Sequence, residues 1–185
     1  MDRSIIKKDI YRYYGKYNLT LKEKLTMPIE LKIIIRYRKA KKFSKYPIIK
    51  YYYLYRSRII NKRFLCQLSY NTQIAEGFYI GHVGNININP KVIIGNNVNI
   101  AQGVTIGQEN RGKRKGTPTI GNRVWIGANA VIVGRVKIGD DVLIAPNSYV
   151  NFDVPNHSIV IGNPGKIIHK ENAIESYINK IVEKE

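Results

Sequence analysis

The chain has 185 residues, 44% of them hydrophobic, which fits one domain with a small extension. Its 31 Lys and Arg against 13 Asp and Glu give a net charge of +18. The excess is local: residues 1–63 hold 19 basic and 4 acidic side chains, residues 64–185 hold 12 and 9. One cysteine, Cys66, excludes an internal disulfide and fits a reducing compartment. No stretch approaches the roughly 18 to 20 apolar residues of a membrane span, and the first residues lack the apolar core of a signal peptide. Together these features predict a cytoplasmic protein.

Residues 1–63 read as a basic, Tyr-rich helical region, with ten of the 14 tyrosines before residue 56. Three segments carry helical spacing: one broken at Gly15, one opened by Pro28 after Thr26, and one opened by Pro47. The charge has two readings. Either the Lys and Arg heads snorkel into water while Ile and Tyr pack inward, or the face meets something anionic, such as a phosphate-bearing cofactor, an acidic glycan or the inner face of a membrane. Nucleic acid is a poor partner, because no DNA- or RNA-binding signature is present.

From residue 74 an aliphatic residue recurs every six. The anchors are Ile74, Ile80, Ile86, Val92, Val98 and Val104, then Ile120, Ile126, Ile132, Ile138, Ile144 and Val150. Gly or Ala follows the anchor at 75, 81, 121, 127, 139 and 145. Neither a lone strand, with period two, nor a helix, with period 3.6, gives this spacing. It predicts a mainly β fold, a left-handed parallel β-helix, in which each hexad forms one flat face and three close a triangular coil. Two coils span 74–109 and two span 120–155. Flat faces on a triangular prism favour a homotrimer.

Between the two runs lies QENRGKRKGTPT, residues 108–119, which must project from the coil. It reads as a solvated loop or as a basic flap over a site for an acidic or phosphate-bearing substrate. His82 is the one histidine inside the hexads, and its reading is open between a structural role and a catalytic one. No second His or Cys pairs with it at metal-ligand spacing, so no metal is expected. In the tail, Ile174, Tyr177, Ile178 and Ile181 have helical spacing and predict a C-terminal helix within 169–185.

The segments GHVGNININPKVIIGNNVNIAQGVTIG, TPTIGNRVWIGANAVIVGRVKIGDDVLIAPNSYV and VPNHSIVIGNPGKII resemble the serine acetyltransferase branch of the hexapeptide-repeat acyltransferases. The likeness covers residues 64–168. The N-terminal IIKKDIYRYYGK looks like relatives encoded with capsule and exopolysaccharide genes. The resemblance implies acetyl transfer from acetyl-CoA to a hydroxyl, with His82 as general base. An imidazole suits that role because it titrates near neutral pH. It also implies that CoA lies between neighbouring subunits against Gly127, Ala128, Ala145 and Pro146, with Lys166 near its nucleotide end.

Four positions depart from the serine acetyltransferase pattern. Gly81 stands where an aspartate precedes the histidine, and Gln67 where an aspartate orients the imidazole. Gly116 and Thr117 replace an Arg-His pair that holds the amino acid. The acetyl-CoA side is therefore retained and the serine side altered. With Gln67, Gly81, Arg111, Arg114 and Thr117 as acceptor-side residues, the expected activity is O-acetylation of a surface polysaccharide or its sugar precursor. Serine O-acetylation is the alternative, and a non-catalytic scaffold or anionic-surface binder is the alternative of another class.

Overall fold

The computed structural model describes residues 3–183. Four helices precede the solenoid: α1 (Arg3–Tyr14), α2 (Leu21–Leu25), α3 (Ile29–Lys42) and α4 (Pro47–Arg63). Thr20 opens α2 with a capping box: its hydroxyl accepts from Glu23 N–H while the Glu23 carboxylate accepts from Thr20 N–H. Tyr37 on α3 and Ile60 on α4 are buried in the core they share with the solenoid.

The remainder is a parallel β-helix of about five turns. Face A stacks β1 (Cys66–Leu68), β4 (Ile86–Ile88), β7 (Thr105–Gly107), β10 (Val131–Val133) and β13 (Tyr149–Val150). Face B stacks β2 (Gln73–Ile74), β5 (Ile93–Ile94), β8 (Thr119–Ile120) and β11 (Lys137–Ile138). Face C stacks β3 (Tyr79–Ile80), β6 (Asn99–Ile100), β9 (Val124–Ile126), β12 (Val142–Ile144) and β14 (Ser158–Ile161). Finally β15 (Lys166–His169) folds back antiparallel on β14 and closes the last turn. The coil begins at Cys66, eight residues before the first expected anchor.

All twelve expected anchors are buried in one core. Each face in fact offers two inward positions two residues apart, such as Ile86 with Ile88 and Val98 with Ile100. Side chains alternate along a strand, so both members of such a pair point into the prism. That alternation hides a change of phase. Coils one and two pair with an offset of 20 residues, as in Cys66 with Ile86 and Tyr79 with Asn99. Coils two and three on face A pair with an offset of 18, as in Asn87 with Thr105. The extra two residues therefore lie within 79–86, the corner that holds His82. An insertion of two preserves the inward alternation and is silent in the hexad count.

The helices cap the open edge of coil one by supplying side chains to its backbone. Arg38, 2% exposed, pairs with the fully buried Asp9 at 2.8 Å and also donates to the carbonyls of Ile74 and Ala75, each at 2.5 Å. Asp9 in turn accepts from Phe78 N–H at 3.1 Å. Tyr37 and Lys41 donate to Thr72 O at 2.7 and 2.8 Å, and Arg12 to Gly77 O at 3.1 Å. An unpaired strand edge would otherwise leave these groups unsatisfied or free to template aggregation.

The C-terminal helix does not form among the described residues. Residues 171–177 are successive turns, interrupted by left-handed backbone at Asn172, Ser176 and Lys180. Ala173, Ile174 and Ile178 instead lie against Leu143 on face C, with Trp125 and Ile159 packed beside them. Asp141 anchors the segment by accepting from Ala173 N–H and Ile174 N–H at 3.2 and 3.4 Å. Conforming to a flat β face satisfies the apolar residues without helical hydrogen bonds. The expected helix extended to 185, and its last two residues lie outside the described range.

Candidate active site

The chain runs from face C to face A through one corner per coil. His82 occupies that corner in coil one, within the widened 81–85 turn, and is exposed. Two helices clamp the turn. Tyr13 on α1 donates its hydroxyl to Ile80 O at 2.8 Å and accepts from Ile80 N–H at 3.1 Å. Burial pushes its phenol well above the ordinary tyrosine range, so it holds the backbone as a neutral group. On the other side of the histidine, Glu30 on α3 accepts from Val83 N–H at 3.3 Å. Among the described residues, no side chain hydrogen-bonds the His82 ring.

Gly127 and Ala128 follow β9, and Ala145 and Pro146 follow β12, so they stand in the same corner two and three coils along. At roughly 4.8 Å per paired strand, that places them about 10 and about 14 Å from the His82 turn. The corner is a continuous backbone ladder: Gly127 N–H donates to Ile144 O at 2.8 Å and Asn147 N–H to Ala128 O at 2.9 Å. A Cβ on Gly127 would lie 2.6 Å from Pro146 N, and one on Gly103, which has φ +71°, only 1.9 Å from Asn129 Oδ1. The column must therefore be built of small residues, and a slender ligand can lie along it. Ala145 and Pro146 also border a groove of about 430 Å³ walled by Trp125, Ile159, Ile161 and Tyr177. Lys166 pairs with Ile161 at the top of the column and is exposed.

The acceptor-side residues are less concentrated. Gly81 adjoins His82 directly. Gln67 lies outward on β1, paired with Asn87, and no hydrogen bond joins it to His82. Arg111, Arg114 and Thr117 belong to a small hairpin closed by mutual bonds of Glu109 and Gly116 at 2.9 and 3.0 Å. That hairpin leaves between β7 and β8, at the corner between faces A and B, with Thr117 donating to Lys91 O at 3.3 Å. It is therefore not a flap over the His82 of its own chain. One whole face separates the two corners.

Sequence reading missed Tyr13 and Glu30. The first lay in a tyrosine-rich run without distinction. Glu30 had one visible signal, being one of only four acids among 63 residues. Asp2 lies outside the described residues, Asp9 and Glu23 serve an ion pair and a cap, and Glu30 sits at the histidine turn. No group of three or more His, Cys, Asp or Glu side chains suited to a metal occurs among the described residues.

Comparison with known proteins places this geometry. Residues 117–151 match the family described as bacterial transferase hexapeptide (six repeats). A serine acetyltransferase of Helicobacter pylori (strain ATCC 700392 / 26695) is 35% identical over 124 residues, covering 66% of this chain and 72% of that one. Among solved structures, the serine acetyltransferase of Brucella abortus strain S19 in complex with coenzyme A superposes with a TM-score of 0.74 at 23% identity, covering 91% of this chain and 67% of that one. The Neisseria gonorrhoeae serine acetyltransferase in complex with serine gives 0.70 at 25% identity, covering 89% and 68%.

These matches overturn the expected polysaccharide acetylation. The relatives are serine acetyltransferases in name, and the likeness to capsule-associated enzymes finds no counterpart among them. The altered acceptor-side positions alone were too thin a ground for choosing a sugar. The chain belongs to the serine acetyltransferase family of hexapeptide-repeat acyltransferases, and it is an acetyl-CoA-dependent acyltransferase.

Proposed function

We propose that the protein transfers the acetyl group of acetyl-CoA to the hydroxyl of serine, with His82 as general base. The observation that carries this reading is the single corner column. It joins an exposed, unpartnered imidazole to the small residues Gly127, Ala128, Ala145 and Pro146, along which a pantetheine arm would reach the base. Serine gives its hydroxyl proton to His82 as its oxygen bonds to the thioester carbonyl carbon. The carbonyl electron pair moves onto oxygen, then returns as the C–S bond breaks. The imidazolium passes its proton to the departing CoA sulfur, leaving O-acetylserine and CoA. Lys166 would meet a phosphate at the nucleotide end of CoA.

Glu30 supports the serine assignment, since it supplies a carboxylate beside the base that Gly81 and Gln67 do not. We assign it the serine ammonium. The basic hairpin, displaced by one face in its own chain, would reach the His82 corner of an adjacent chain in a homotrimer. Arg111, Arg114 and Thr117 then come from the neighbour. Purified protein should release CoA thiol from acetyl-CoA only when L-serine is present, with O-acetylserine identified by mass spectrometry. Acetyl-CoA binding without serine-dependent thiol release would overturn the assignment, and a fully active monomer in sedimentation would overturn the shared site.

A further inference from the structure

The outward side of α4 is unpartnered. Of its 17 residues only Ile60 is buried. Tyr53 stacks on Phe43 at 5.7 Å on the inner side. On the outer side Ile48, Tyr51, Tyr52, Tyr55 and Ile59 are all exposed, Ile48 to 87%. At about 3.6 residues per turn these five fall within about 100° of the circumference. Arg56 and Arg63 border this stripe on one flank and Arg58 on the other, and the helix carries no acid. A helix in a globular protein usually buries its apolar face; α4 turns this one to solvent.

A second observation lies beside the stripe. A cavity of about 250 Å³ between α3 and α4 is lined by Lys32, Arg36, Lys39 and Arg56, together with Tyr52 and Tyr53, and by no carboxylate. Arg36 is held below the ordinary guanidinium range by burial and by the like charge of Arg56. Four cations gathered without a counter-charge form a site for an anion. A second copy of this chain is a poor occupant, because residues 1–63 and 64–185 both carry an excess of cations, so two copies repel. Nucleic acid would match the charge but leave Ile48 and Ile59 without an apolar partner.

We propose that α4 and this cavity dock the protein on a bilayer surface containing anionic lipid. Ile48, Tyr52, Tyr55 and Ile59 enter the boundary between headgroups and acyl chains, and Lys32, Arg36, Lys39 and Arg56 receive a lipid phosphate. Tyrosine and aliphatic side chains suit the headgroup boundary because each carries an apolar body, and cations beside them add attraction to an anionic leaflet.

The test pellets the full-length protein with vesicles of phosphatidylcholine alone or mixed with phosphatidylglycerol. Binding to the anionic vesicles is expected, weakened by added salt, with little binding to the neutral ones. The double variant Arg36→Gln/Arg56→Gln should bind about 25-fold more weakly, at about fivefold per charge. Ile48→Ser/Ile59→Ser should weaken binding about tenfold or more. Both variants should keep the wild-type unfolding midpoint and thiol release, since neither changes a residue at the His82 corner. Wild-type protein that ignores anionic vesicles overturns the proposal, whether or not it retains an oligonucleotide. So does undiminished vesicle binding by the isoleucine variant, or a fall in its oligomeric state, which would mean that a second copy covers the stripe.

Discussion

Replacing Arg38 with methionine tests how the solenoid's open end is held. The change keeps much of the side-chain bulk but removes both bonds to Asp9 and both to the carbonyls of Ile74 and Ala75. Asp9 remains fully buried with only backbone donors in place, those of Gly77 and Phe78. Breaking a buried pair by deleting one partner costs about 3–5 kcal/mol, because the remaining charge is uncompensated. For a chain of this size, each kcal/mol lowers the midpoint by roughly 2–4 °C, so a fall of about 6–20 °C is expected. The deficit should narrow on acidification. Burial already raises the Asp9 pKa against the opposing pull of Arg38, and without Arg38 the carboxyl protonates more readily, leaving a neutral group that costs less to bury. Thermal unfolding followed by circular dichroism at neutral and mildly acidic pH measures both effects. Amide exchange should accelerate first in coil one. A midpoint within about 2 °C of wild type at neutral pH would refute the capping argument.

Other perturbations probe the site. His82→Ala should lower acetyl transfer by roughly 10²–10⁴-fold while acetyl-CoA affinity is retained; full turnover in that variant would make the histidine structural. Glu30→Gln keeps an oxygen for Val83 N–H but loses the charge. The KM for serine should therefore rise about five- to tenfold with that for acetyl-CoA unchanged, and an unaltered serine KM would remove Glu30 from the acceptor site. Burial holds the Cys66 thiol up at about 12, whereas an unfolded thiol ionises near about 8.5. Native protein at pH 8–9 should thus resist thiol reagents until it unfolds. The contribution of this thiol to stability is complete below the unfolded pKa and is lost as pH rises toward about 12. Rapid labelling of folded protein would contradict the burial of this residue.

The solenoid is legible in the amino-acid order alone, because its core is a one-dimensional repeat. Twelve Ile and Val positions at six-residue spacing all point inward, and short Gly- or Ala-containing corners leave the chain few other ways to turn. The projecting segment stands out because it interrupts that pattern, and His82 because it is the one histidine inside the hexads. Tertiary structure decided what depends on phase and on neighbours. The two extra residues at the His82 corner were invisible because side-chain alternation has a period of two. The placement of hairpin and histidine on different corners follows only from counting faces through the coil. Arg38, Tyr13 and Glu30 act on backbone groups some 36 to 67 residues away in sequence, and no local pattern encodes such a partner. The tail likewise had helical spacing, yet docking on the flat side of face C gave its Ile174 and Ile178 the burial that a helix would have offered.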